Sequence, residues 1–408
     1  MLQIQQTQII YSTFVITCWR YLSLHNMTMK IKILILFITV CCCAKGSTLP
    51  IQSDEENNTV TRIDMSGYKT INFDDLVKNI SCTRLESNLF DYGATMIPYK
   101  DRLYIMGRTI AGNKVVIFDK SGQLVKELTF ADALLVISMT IVPDAEELWV
   151  VSRFKIINKF KLDGTPIKRV SLPFPCANLI PVGQQNFLVY SGGTCNSRGS
   201  IEGHFFALTD FKSINKLFLP KWGKEEWPSA PQNMYAQDEK ANNLFIFPNN
   251  IDTIYSYNQQ KGAVEPFFFL DFHGDFLTKD KHPYGPEEDQ EMSEIITKRK
   301  YIYSHYSFNQ ASGKLFFKLA GKREDFCSIN LVDNALYSFN RLFDNFMPIS
   351  YNPFIGSDGK NLYVLAQEKE LAEHYQNIKC TYPAIQKLLP ALSPDGSNWI
   401  LLTIEIKE

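Results

Sequence analysis

The chain has 408 residues, and 42 Lys and Arg stand against 43 Asp and Glu, so a net charge of −1 supplies no field to gather nucleic acid or an anionic membrane. With 45% apolar and 21% charged residues it can bury a sizeable core, which excludes general disorder. Its 29 Phe and 19 Tyr favour strands, because flat rings pack between pleated surfaces.

In chain order, residues 1–28 read as an N-terminal extension, left by start-site choice if translation begins at Met27 or Met29. Residues 29–46 have the three parts of a secretory signal: basic Lys30 and Lys32, the apolar run Ile33 to Val40, and the exit Ala44-Lys45-Gly46. The apolar run is short of the roughly 20 residues a membrane-spanning helix needs. Cys41, Cys42 and Cys43 are candidate lipid acceptors of a bacterial lipoprotein signal. Val40 stands where such signals carry a small residue, and plain cleavage after Ala44 or Gly46 fits comparably. Residues 47–58, with the acidic stretch Ser53 to Asn58, read as a flexible tether. The expected location is therefore outside the cytoplasm: periplasm, outer membrane or cell surface.

After Cys82, short strand-like runs recur, separated by Gly, Asn, Asp and Lys turns. The first unit is Ala94 to Pro98, Arg102 to Met106, Val115 to Phe118 and Leu124 to Leu128. Its turn Asp119-Lys120-Ser121-Gly122 holds residues that tolerate positive φ. Further units begin at Ile137, Cys176, Pro231, Tyr301 and Tyr351. The last is interrupted by a helix-like stretch from Glu368 to Leu388 before a final strand, Trp399 to Ile406. A period of about 40 to 50 residues with four strands per unit predicts an all-β, six-bladed β-propeller spanning residues 59–408. The bland alternative, a β-sandwich or two smaller β domains, lacks the linker it would need. Ring closure requires an N-terminal strand beside the C-terminal one, and Thr59 to Met65 is the candidate partner of Trp399 to Ile406.

The residues resemble a family of six-bladed propellers from Bacteroides-type bacteria, often lipoproteins and largely uncharacterised. The resemblance rests on Ile71-Asn72-Phe73-Asp74-Asp75-Leu76-Val77 followed by Leu85-Glu86, on Val116-Ile117-Phe118-Asp119-x-x-Gly122, on Asp252-Thr253-Ile254-Tyr255 with Phe269-Leu270-Asp271-Phe272, and on Asn398-Trp399-Ile400-Leu401. His273 stands where the family often has Gly, and Trp399 where it often has Pro. The resemblance implies fold and export and transfers no catalytic residue.

Function is weakly written. Trp222 and Trp227, in the connection before the fourth unit, could stack on a sugar or peptide, or fill the space between blades. His204, heading a strand of the third unit, and His273 complete the binding candidates. His273, Asp275, Asp280 and His282 cluster in sequence without a recognisable ligand spacing, and no metal site is assigned. Glu86, Asn178 and Asn233, near blade starts, are the residues that could reach a channel-held divalent ion. Five cysteines follow the signal, an odd number, and free buried thiols are expected over a Cys176 to Cys195 bridge. Gly-x-Ser-x-Gly, His-Glu-x-x-His and phosphate-loop motifs are all missing. Two main readings remain, beside a third of a scaffold with no small ligand. One is a monomeric, cofactor-free module binding a small molecule, glycan or protein at a propeller face; the other is a lactonase-like metal-dependent hydrolase with its site in the channel.

Overall fold

A computed structural model describes residues 60–408 except 87–91, 110–111, 131–135, 184, 192–200, 202, 221–233, 239–242, 249–250, 278–293, 296, 340–353, 378 and 395. Cys41, Cys42, Cys43, Trp222, Trp227, Asn233, Asp280 and His282 lie outside the described residues.

The N-terminal part gives three strands, β1 (Thr61–Asp64), β2 (Lys69–Thr70) and β3 (Val77–Leu85). Five regular units follow, each a meander of antiparallel strands. The first blade is β4 (Tyr92–Tyr99), β5 (Arg102–Thr109), β6 (Gly112–Asp119) and β7 (Leu124–Leu128); the second is β8 (Val136–Val142), β9 (Glu147–Ser152), β10 (Ile156–Lys161) and β11 (Pro166–Ser171). The third is β12 (Asn178–Pro181), β13 (Phe187–Tyr190), β14 (His204–Thr209) and β15 (Ile214–Pro220); the fourth is β16 (Tyr235–Asp238), β17 (Asn243–Ile246), β18 (Thr253–Asn258) and β19 (Ala263–Asp271). Blade five is β20 (Ile302–Ala311), β21 (Lys314–Gly321), β22 (Phe326–Asn330) and β23 (Leu336–Phe339). Blade six combines β24 (Gly356–Ser357), β25 (Asn361–Gln367) and β26 (Trp399–Ile406) with β3. The chain is thus an all-β, six-bladed β-propeller. Two helices, α1 (Glu368–Asn377) and α2 (Pro383–Leu388), interrupt the last blade.

Closure uses a different strand from the expected one. β26 pairs antiparallel with β3, from Trp399 opposite Leu85 to Ile406 opposite Val77. Thr61–Asp64 instead adds to the outer edge of blade four, parallel to Phe268–Asp271, and Lys69–Thr70 adds in the same way to blade five. The physical reason is length: an eight-residue edge exposes more backbone donors and acceptors than a four-residue strand can satisfy, and the nine-residue β3 matches it. The N-terminal segment is therefore a strap over the edges of blades four and five before it becomes the outer strand of blade six.

Six apolar clusters fill the six junctions between neighbouring blades. Aromatic rings supply much of this contact, as the composition suggested. Phe73, on the one-turn helix Phe73–Leu76, sits 5.0 Å from Phe339 and 5.6 Å from Phe354, locking the strap onto the junction of blades five and six. Such ring pairs add about 0.5–1.5 kcal/mol each beyond burial. Cys82, Cys176, Cys327 and Cys380 are free, and Cys195 lies outside the described residues.

Candidate functional site

The first strands of the blades, β4, β8, β12, β16, β20 and β24, form the inner ring, with contacts running from β16 through β20, β24, β4 and β8 to β12. In a four-stranded antiparallel blade, the turns joining strands one to two and three to four share one end, while the other connections leave from the opposite end. A cavity of about 1530 Å³ opens at the end carrying the short turns. Bordering it are Lys100 and Lys120 of blade one, Asp144 of blade two, Gly183 and Lys212 of blade three, Gln259 of blade four and Asp358 of blade six. Its throat is lined by Thr140, Tyr235 and Asn309 from three inner strands. From there it extends radially into the grooves between blades six and one and between blades two and three, where Thr403 and Trp149 respectively reach it. That is larger than the roughly 300–1,000 Å³ of ordinary small-molecule pockets.

Local chemistry explains why these turns hold their shape. Asp210 accepts hydrogen bonds from the backbone N–H of Lys212 and of Ser213, both at 2.8 Å. Asp358 accepts from the N–H of Lys360 at 3.1 Å and of Asn361 at 2.7 Å, and also from the Tyr363 hydroxyl at 2.6 Å. Both carboxylates are held below their ordinary range: turn hydrogen bonds do this for Asp210, and at Asp358 those bonds outweigh a burial effect that opposes them. Tyr235, by contrast, has its phenol pushed up by burial, partly offset by a hydrogen bond from Thr140. The throat therefore offers neutral hydroxyl and amide groups, while two of the bordering acids are already engaged by their own turns.

Most of the sequence-based site candidates fall elsewhere. His204 heads β14, at the opposite end of that strand from the Asp210 turn, and does not line the cavity. His273 lies at the outer edge of blade four, where Nε2 is 2.8 Å from Asp64 Oδ1 and Nδ1 is 3.6 Å from Asp271 Oδ2. There it clasps the strap, away from the cavity. Asp275 pairs with Lys322 at 2.6 Å. Glu86 accepts from the Gln123 side-chain amide, and the half-buried Asn178 sits on β12; neither lines the cavity. Among the described residues no three His, Cys, Asp or Glu side chains are grouped to hold a metal ion. The residues that do line the cavity were missed because Lys120 and Lys212 look like any solvated turn, and Trp149 like any core aromatic.

Among solved structures, a protein of Bacteroides fragilis classed as exported superposes with a TM-score of 0.66 at 17% identity, covering 86% of this chain and 100% of that one. The likeness is one of fold. A protein of unknown function from Bacteroides thetaiotaomicron gives a TM-score of 0.43 at 8% identity, over 82% of this chain and 74% of that one. A luciferin-regenerating enzyme gives 0.41 at 11% identity, over 81% and 97% respectively. Likenesses this distant carry no functional argument. No protein-family model matches the sequence, and no curated protein matches it.

Proposed function

We propose that this protein is an exported binding module that holds a polar ligand in the cavity at the short-turn end of the ring. The observation that carries this reading is the cavity: about 1530 Å³, bordered by turns of several blades and with a throat of hydroxyl and amide groups. Ligand binding in propellers draws on the point where strands of all blades converge. A channel-centred hydrolase would need three or four carboxylate, Asn or His donors around an open metal position. No observation on the described residues favours that reading over the first.

Export is supported by the signal-like residues 29–46 and by the name of the Bacteroides fragilis fold relative. A tether through Cys41, Cys42 or Cys43 is part of the same proposal, as is a monomeric ring. Mass spectrometry of the mature N-terminus tests the tether. A diacylglyceryl cysteine at one of the three positions supports it, and an unmodified start at Lys45 or Ser47 overturns it.

Binding is tested by calorimetric and thermal-shift screening of oligosaccharides and peptides against the native protein and Gln237→Trp. Gln237 is exposed and lines the cavity, so the larger side chain fills the cavity without entering the core. Ligands lost in that variant support the reading; ligands retained at full affinity place binding elsewhere.

A further inference from the structure

The cavity's arm between blades two and three has an uneven charge. Trp149 on β9 faces Lys159 on β10, which in turn faces Lys168 on β11, so one face of blade two presents a tryptophan and two lysines in a row. Lys159 Nζ lies 3.4 Å from the Trp149 ring centroid, a cation–π contact that holds the ammonium in place. The Trp149 indole N–H is spent on Glu147 at 2.6 Å, and its ring stacks on Phe187 at 5.0 Å, so this floor is rigid. Lys212, in the third-to-fourth strand turn of blade three, closes the arm from the other side. Among the described residues no carboxylate forms an ion pair with Lys159, Lys168 or Lys212, and Asp210, the acid nearest in sequence to Lys212, is engaged by its own turn. Burial lowers the Lys159 pKa; the charge of Glu147 opposes that shift, and the neighbouring Lys168 adds to it.

Three ammonium groups around one arm of a cavity, none in an ion pair among the described residues although the Glu147 charge acts on Lys159, form a local receptor for anions on a chain whose net charge is −1. The adjoining throat is neutral and rich in hydroxyl and amide groups, which suits a body carrying many hydroxyls. We propose that the ligand is an anionic saccharide, with its carboxylate or sulfate group held by Lys159, Lys168 and Lys212 and its neutral rings in the throat. This inference rests on the binding reading above and narrows it to a ligand class.

The probe is a chondroitin sulfate tetrasaccharide, compared by calorimetry with its desulfated, carboxyl-reduced counterpart and with inorganic sulfate. The charged fragment is expected to bind at least tenfold more tightly than the neutral one, and to weaken as salt rises from 50 to 300 mM. Exposed Lys168 and Lys212 allow Lys168→Gln and Lys212→Gln without touching the core. The double variant should keep its melting temperature and lose at least tenfold in affinity. Lys155→Gln, an exposed lysine of blade two that does not line the cavity, should lose less than twofold. Equal binding of the neutral fragment overturns the anionic class and leaves the binding reading standing. Binding of inorganic sulfate as tight as that of the charged fragment overturns the saccharide class. An equal loss in Lys155→Gln overturns the assignment to this arm. Failure of both fragments overturns the inference, and the broader reading then depends on the Gln237→Trp comparison.

Discussion

His273 Nε2 lies 2.8 Å from Asp64 Oδ1, which ties the first strand of the strap to the outer edge of blade four. Arg62 reinforces the tie by pairing with Asp271, to which the His273 backbone N–H also donates at 3.0 Å. The imidazole pKa is raised, first by the Asp64 hydrogen bond and then by the charge of Asp271. Asp64 is held well below the carboxylate range by Ser66 and then His273, and Asp271 is lowered by Arg62 and then the His273 N–H.

The pH dependence of the strap follows from those directions. The imidazole contribution is complete below the unfolded value of about 6.5 and is lost as pH rises through the raised folded value. The two aspartates contribute above their unfolded value of about 4 and lose that contribution as pH falls. Hydrogen exchange at Thr61–Asp64 should therefore be slowest between about pH 4 and 6.5, once corrected for intrinsic rates. In His273→Gln the protection should no longer decline above pH 7. A native profile that is flat from pH 5 to 9 would show that the clasp does not hold the strap.

Glu368 opens α1 and is 2% exposed. It pairs with Arg84 of β3, and its carboxylate also accepts from the Ser393 N–H at 3.1 Å and from the Asn398 side-chain amide at 3.0 Å. One buried carboxylate thus holds both ends of the helical insertion against the closing strand. Glu368→Ala strands three donors, and breaking a buried charge pair in this way costs about 3 kcal/mol. Urea unfolding measures it; a loss below about 0.5 kcal/mol would mean that the hub is solvated and contributes little.

At the junction of blades six and one, Gly122 has φ +90°, and a Cβ there would lie 2.2 Å from the Arg84 carbonyl oxygen. Gly122→Ala therefore combines a left-handed backbone with a backbone clash, and should cost about 2–4 kcal/mol. Gly313 has φ +69° but nothing within 4 Å of its Cβ position. Gly313→Ala should cost only about 1 kcal/mol. The comparison separates crowding from strain, and equal losses would show that the junction yields.

Both glycines stand in turns that the sequence displays openly. Asp119-Lys120-Ser121-Gly122 announces a hairpin because only a few residue types tolerate its φ values, and the same holds for Asp163-Gly164. Strand alternation within a blade is local in the same sense. Pairing of Thr61–Asp64 with Phe268–Asp271 is not: a four-residue strand with only Ile63 buried carries too little pattern to choose among six edges more than 200 residues away. The cavity was illegible for a related reason. Lys168 and Lys212 acquire meaning only when two blades are set side by side, and His273, which stood out in a sequence cluster with Asp275, Asp280 and His282, bonds to Asp64 of the strap.

His305, on the inner strand of blade five, is 3% exposed, and neither ring nitrogen has a hydrogen-bond partner. Its ring lies parallel to Phe247 at 3.7 Å and edge-on to Phe308 at 6.2 Å, in the apolar junction of blades four and five. Burial pulls its pKa down to about 3, offset only in part by the nearby backbone of Phe247 and Pro248. The folded protein therefore keeps this imidazole neutral while the unfolded chain protonates below about pH 6.5, so stability falls as pH falls through that range. Between pH 6.5 and 4.5 the loss from this one residue is on the order of 2 kcal/mol. His305→Phe keeps a flat ring against Phe247 and removes the titration. It should raise stability at pH 4.5 by about that amount and leave pH 8 within about 1 kcal/mol of the native protein. Urea denaturation at the two pH values decides it, and a variant that keeps the native slope of stability against pH would show that the acid sensitivity lies with other groups.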